Sequence, residues 1–415
     1  MRRHRRLTLA QGTSPHRVDP HPRAPQALRS AQIDAADPDP VHALKRGLGP
    51  GPFAMVTLFV SPDANFARIT HEAHQAFPGA EVLACTTAGE IGVTGYVEGQ
   101  IVAAGFPAAL FSTRTVVFDE LSDFDPQPSI DRVIRARVAH AEDAPRKLHE
   151  FAFLMIDGMS LKEDEVAGAM AAGLGPVPLF GGSAGDGARF GEALVSRNGV
   201  IYENGALLAL VRSACRVRVF SLDHLQPTRR RMVVTEADPT ARIVHQINAE
   251  PAAQEYARVL GHDPAQLTPS TFAAHPVVVR LGGRHHVRAI RRVTEDGSLI
   301  FFSAIDEGMV LTLAEPENMA THLQRTLDEM FAEERPETIL ACDCILRRLE
   351  AGEKQMTRDI SQILSGARII GFGTYGEQMG AMHVNHTLTG VAVFAPDPPG
   401  DPASTAAPIR SVDLP

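Results

Sequence analysis

Apolar runs of strand length alternate with amphipathic stretches over most of this chain, and that alternation predicts its elements. Residues 53–60 form a strand-like run, and a helix follows in which Phe66, Ile69 and Ala73 share one face. Pro78-Gly79 ends that helix before residues 82–85 return as a strand. Residues 130–141 read as an arginine-rich amphipathic helix, 151–156 as a buried strand and 163–172 as a helix. Between the last two, Ser160 and Glu163 have the spacing of a capping box. Further on, 243–248 reads as a strand, 250–260 as a helix opened by Pro251, and 277–279 with 287–293 as a hairpin across Gly282-Gly283. Residues 298–304 add a strand, and 317–332 a helix with Met319, Leu323, Leu327 and Met330 at helical spacing. Residues 339–344 form a buried strand with Cys342 and Cys344 on one face, and 349–363 a last helix. The mixture predicts an α/β protein, or α+β with helices outside mixed sheets. Two mixed-sheet modules are expected, 51–220 and 221–395.

Residues 369–394, IIGFGTYGEQMGAMHVNHTLTGVAVF, place Gly371, Gly373, Gly376, Gly380, Glu377, His383 and His386 between two apolar runs. A polar loop on rigid strands is how a site is usually built, although glycine also simply turns a chain. Two other stretches share the pattern, VLACTTAGEIG at 82–92 and LFGGSAGDG at 179–187. Thr87-Ala88-Gly89-Glu90, Ser183-Ala184-Gly185-Asp186 and Thr374-Tyr375-Gly376-Glu377 therefore read as three copies of one strand-to-loop device, each followed by a β-rich run. At least two of the loops are expected to converge on one cleft lined by Thr87, Glu90, Ser183, Asp186, Tyr375 and Glu377. The second loop lacks the lysine of a P-loop and the GxGxxG order, which sets nucleotide binding aside, and no GxSxG elbow surrounds Ser183.

Composition narrows the classes. The chain has 415 residues, 44% of them apolar and 21% charged, enough for two domains with real cores. A net charge of −9 argues against a nucleic-acid-binding body. No apolar run approaches the roughly 20 residues of a membrane span. Four scattered cysteines make no disulfide framework and fit a reducing, cytoplasmic setting. Residues 1–50 are rich in arginine and proline and poor in apolar periodicity, so a disordered arm is expected there, whose deletion leaves folding intact. The apolar stretch at 7–10 is too short for a secretory signal. Residues 396–415 read as a proline-rich disordered tail.

The three loop motifs, TTAGEI, FGGSAGDG and GFGTYGEQMGAMHVNHTLTG, occur in the order in which they stand in FIST sensory proteins, and the chain resembles that family from about residue 53 to 394. DHLQPT at 223–228, VVTEAD at 233–238, AAHPVVVR at 273–280, AIDEGMVLT at 304–312 and CDCILRRLE at 342–350 look like its NosP branch, whose members are haemoproteins that sense nitric oxide. The resemblance implies a sensor rather than an enzyme. It implies a haem b and nitric oxide as ligand. It also implies a partner histidine kinase or an enzyme of cyclic-di-GMP turnover, a diguanylate cyclase or phosphodiesterase; whether the sensor acts as a monomer or a homodimer stays open. CxxCH is absent, so a haem would be held without covalent attachment, by an axial side chain and an apolar pocket. Of the histidines in these motifs, His224 is expected as the axial ligand of the iron, with His383 next and His275 after it. The alternative is a haem-free FIST sensor of a small polar metabolite such as an amino acid, bound by Glu90, Asp186, Glu377 and loop amides.

Overall fold

A computed structural model describes residues 27–281 and 283–396 of the chain. It is an α/β protein whose main body repeats one plan three times. Each repeat runs edge strand, helix, strand, helical crossover, parallel strand, two-stranded hairpin and returning antiparallel strand. In the first these strands are Arg29–Asp34, Phe53–Val60, Glu81–Thr86, the hairpin Glu90–Gly92 with Gly95–Val97, and Gln100–Pro107. In the second they are Phe111–Phe118, His149–Asp157, Leu179–Ala184, Val195–Arg197 with Val200–Tyr202, and Ala206–Ser213. In the third they are Cys215–Leu222, Thr338–Cys344, Ile369–Thr374, Glu377–Met379 with Met382–Val384, and Leu388–Pro396.

The three resulting six-stranded sheets have one strand order, and each is completed by a hairpin from another repeat. Val195 pairs with Cys85 of the first sheet, Glu377 with Gly182 of the second and Glu90 with Phe372 of the third. The exchange is cyclic. The central strands read as continuous apolar runs because both their faces are covered, by helices outside and by the other sheets inside. A central core takes residues from all three repeats, among them Phe59 stacked on Phe372 at 4.6 Å and Phe153 on Phe180 at 4.9 Å. Three separate outer cores lie under the helices of the individual repeats.

An antiparallel eight-stranded sheet with its own core, from the strand Leu225–Asp238 to the strand Val310–Pro316, interrupts the third repeat between its edge strand and its first helix. A further apolar layer, including Leu225, Val278, Val287, Ile345, Leu346 and Tyr375, joins this inserted sheet to the main body.

Three expectations need correction. Residues 27–50 are ordered, as the edge strand Arg29–Asp34 and the helix Pro40–Leu48. Ala27 and Leu28 enter the central core, and Val41, Leu44 and Leu48 the first outer one, an apolar stripe that the surrounding prolines and charges obscure. Residues 1–26 and 397–415 lie outside the described residues. A division at 220/221 does not separate two bodies, because the third sheet needs Cys215–Leu222 and the first repeat's hairpin. The capping box does not form either: Ser160 bonds back to the Asp157 carbonyl, and Glu163 ion-pairs with Arg242.

Candidate functional site

Strand register places the loops on a common footing. Val60, Ile156 and Asp343 pair in parallel with Thr86, Ser183 and Gly373, which are therefore equivalent positions. Ser183 thus sits one residue earlier in its loop than Thr87 and Thr374 do in theirs. The first residues of the exchanged hairpins, Glu90, Val195 and Glu377, are equivalent too, since their partners are Phe372, Cys85 and Gly182. Asp186 has no counterpart. It lies in a connection running from Gly185 to Leu194 where the other repeats have two residues.

The loops converge, all three of them, in a ring of backbone bonds. Ala88 N donates to Gly373 O at 2.8 Å, Gly185 N to Thr86 O at 3.2 Å and Tyr375 N to Ser183 O at 3.2 Å. The ring is closed: Thr87, Glu90, Ser183, Asp186, Tyr375 and Glu377 are all buried. Glu90 accepts from Thr87 Oγ1 at 2.6 Å and from Gln100 N at 3.1 Å. Glu377 repeats the arrangement, accepting from Thr374 Oγ1, from Thr387 Oγ1 at 2.5 Å and from Thr387 N at 3.4 Å. Each carboxyl ties a loop hydroxyl to the start of the returning strand. Burial pushes Glu90 up to about 7 and Glu377 up to about 8. Asp186 differs: burial opposes its charge, but Tyr375 and the Gly191 and Glu192 amides outweigh that and hold its pKa below the usual range.

What departs from the threefold plan gathers at one place, the junction under the inserted sheet. Tyr375 stands where the other repeats have Ala88 and Gly185. Its hydroxyl donates to Asp186 and accepts from the Asp186 and Phe190 amides at 3.0 and 3.2 Å, while its ring stacks on Phe190 at 4.5 Å. Asp343 stands where the others have Val60 and Ile156. It accepts from Tyr96 and, at 2.6 Å, from Arg347 Nε. Arg347 Nη1 lies 3.0 Å from His224 Nδ1, and because arginine only donates, the His224 proton sits on Nε2, which reaches Glu350 at 2.9 Å. Against burial, the bonds from His224 and Lys354 hold Glu350 down to about 2. Arg242 of the insert pairs with Glu163 at 2.6 Å, both buried.

Several buried polar atoms here have no partner among the described residues: Arg288 Nε, Arg347 Nη2, Gln378 Oε1, Asn385 Oδ1 and both ring nitrogens of His386. Such groups are few in native proteins, and a cluster of them calls for an explanation. Sequence reasoning named His386 with Glu377 and His383 as a source of charge and possible ligation but did not rank it among the axial-ligand candidates; the isolation of the others it missed, since that depends on what folds against them. Of the histidines it did single out, His224 has both nitrogens engaged and is 1% exposed. His383 is buried with Nδ1 at 3.2 Å from Gln378 Nε2, and Gly376 is needed beside it, since a Cβ there would stand 2.3 Å from the ring. His275 is half-buried at a helix end, its ring 5.6 Å from that of His262. A shallow depression of about 400 Å³ lined by Arg137, Glu142, Glu150 and Arg212 lies elsewhere, on the outside of the second repeat.

The FIST N domain matches residues 54–250 and the FIST C domain residues 252–380. The chain belongs to the FIST family. This FIST protein is accordingly sensory, a signal-transduction protein that answers to a small molecule and passes the signal on. The two matches meet inside the inserted sheet, so they divide the family's sequence pattern rather than two folded bodies. No curated protein matches the chain. No helix among the described residues is long and apolar enough to cross a membrane.

Proposed function

We propose that this FIST protein senses nitric oxide through a noncovalently held haem b at the junction between the inserted sheet and the three-repeat body, and regulates a partner histidine kinase or cyclic-di-GMP enzyme. The observation that carries the reading is the buried imidazole of His386, whose nitrogens have no partner among the described residues. An uncommitted imidazole is one of the two things a haem held without covalent bonds requires; the other, an apolar pocket, is not formed around it, because Glu350, Arg347, Lys354 and His224 face the ring in closed packing. Two segments that resemble the NosP branch, 223–228 and 342–350, supply the His224, Asp343, Arg347 and Glu350 that wall this place. When bound, the group supplies a ferrous iron that takes a diatomic gas.

The chain's own residues contribute the rest. The apolar layer excludes water, and the Asp343–Arg347–His224–Glu350 bonds fix the wall. That packing is closed, so this reading requires the inserted sheet to move away from the body before a macrocycle could be held there. The Arg242–Glu163 pair and the bond from Ala304 N to Asp164 at 3.0 Å resist that movement. A ligand that changes how the two bodies seat changes the surface a partner meets.

Titration of purified protein with haemin tests the reading. Saturable uptake near one per chain, with a Soret band that shifts when nitric oxide is added to the ferrous form, is the expected result. A protein that stays colourless yet melts at higher temperature with amino acids would replace it with the haem-free alternative.

A further inference from the structure

Each repeat has one helix between its edge strand and its second strand, so three helices can be compared within one molecule. Pro40–Leu48 and Met319–Met330 have 9 and 12 residues, and no large apolar side chain of either is exposed among the described residues. Pro126–Asp143 of the second repeat has 18 residues and differs. It buries Val133 and His140 against the second outer core, yet Ile134 and Val138 on another side are 42% and 48% exposed. With Ala141 they lie at i, i+4 and i+7, a single stripe along the helix. One exposed apolar side chain is ordinary, but a stripe of them on one helix is how a helix presents itself to another.

The stripe runs into the depression of about 400 Å³ on the outside of this repeat, where Val138 and Ala141 face Pro176. In the turn that follows the helix, Lys147 O accepts from Arg212 Nε at 3.0 Å, which fixes the turn beside the depression, and the next residue, Leu148, is 68% exposed. The charges around this place are unequal. Arg212 pairs with Glu150 at 3.0 Å and Arg114 with Asp143 at 2.5 Å. Arg135, Arg137, Arg146 and Lys147 have no acidic partner among the described residues, and Arg137 donates only to the Leu174 carbonyl. Glu142 is the one unpaired acid among them. A basic, partly apolar face therefore stands on a chain whose net charge is −9.

We propose that this face is where the partner protein docks, and that the docking element is an acidic amphipathic helix. Its apolar side chains lie along Ile134, Val138 and Ala141 and enter the depression towards Pro176, while carboxylates beside them meet Arg135, Arg146 and Lys147. A second copy of this chain, seated face to face, would set those cations against themselves. A flat lipid surface meets the cations but does not fill a depression lined by Glu142 and Glu150. The proposal deepens the partner half of the reading above and is independent of its haem half.

A synthetic helical peptide with leucine at helical spacing, glutamate on both flanks and alanine elsewhere is the probe, with a control that has lysine in place of glutamate. Anisotropy of the labelled peptides is measured with the full chain, at low and high salt. The glutamate peptide should bind saturably, less tightly as salt rises, and the lysine peptide should not bind. Ile134→Asp with Val138→Asp should weaken binding about tenfold or more. Arg135→Glu with Lys147→Glu should weaken it and abolish the salt dependence. All four positions lie outside the cores, so melting and haemin uptake should match wild type in both double variants. No binding of the glutamate peptide, equal binding of both peptides, or binding that both double variants leave unchanged would overturn the proposal. So would capture of the chain by phosphatidylserine vesicles without binding of the peptide, which would make the face a lipid-binding one. Peptide binding by a chain that takes up no haemin would leave this proposal standing and remove the haem reading alone.

Discussion

Glu90 and Glu377 hold one position of the repeat, and their raised pKa values, about 7 and about 8, make a prediction about pH. The folded state binds these protons more tightly than the unfolded chain does. The stability they contribute is therefore complete below the ordinary glutamate value and is lost as pH rises through 7 and then 8. The melting temperature should fall across that window, and Glu90→Gln with Glu377→Gln should flatten the fall; an unchanged slope in the double variant would contradict the assignment. His140 and His386 act in the opposite sense, with pKa values lowered chiefly by burial to about 4 and about 3. Their contribution is present above the ordinary histidine value and lost as pH drops through those values. At the junction, Arg242→Ala leaves Glu163 buried and alone, a change worth about 3–5 kcal/mol, readable in denaturant melts. The glutamates were legible in the sequence as loop acids. Their role as ties was not, because each depends on the start of a strand ten residues on, through the Gln100 amide for Glu90 and the Thr387 amide and hydroxyl for Glu377.

At the scale of elements, the sequence disclosed the strand-to-loop device but aligned one copy wrongly. SAGD has the same look as TAGE and TYGE, yet register sets Ser183 against Thr86 and Gly373, and leaves Asp186 in an extended connection. Pairing between distant strands decides register, and spacing along the chain carries no record of it. The extended connection is fastened by one hydroxyl, so Tyr375→Phe should cost about 1–2 kcal/mol and expose residues 185–194 to limited proteolysis. Equal cleavage rates in variant and wild type would show that the ring alone holds the loop. The segment 27–50 leads to a firmer expectation. A chain beginning at Gly51 lacks the first sheet's edge strand, which pairs from Arg29 with Gly105 to Asp34 with Gln100, and the helix covering its outer core. It should lose its cooperative melt, the reverse of what composition alone suggests; a truncated chain that melts as the full one does would contradict this.

For the molecule as a whole, the alternation of strands and helices was enough to predict an α/β protein, whereas the cyclic exchange of hairpins was not readable. A hairpin of a few residues looks the same whether it completes its own sheet or a neighbour's. The exchange ties the halves together, so chains 1–220 and 221–415 expressed separately should not give native-like circular dichroism. Each lacks strands that the other supplies. The same construction makes the body a rigid support, and the inserted sheet, which enters the chain within the third repeat, is bonded to the second through Arg242–Glu163 and Ala304 N–Asp164. That the junction beneath it receives the ligand is the central claim, and hydrogen exchange on the haemin-loaded and apo protein tests it most directly. The account predicts that loading changes exchange in residues 383–387 and 345–350 and in the facing strands Val277–Leu281 and Arg284–Arg288, with the central strands of the three repeats unaffected. Changes confined to the outside of the second repeat, around Arg137 and Arg212, or no change on loading, would contradict it.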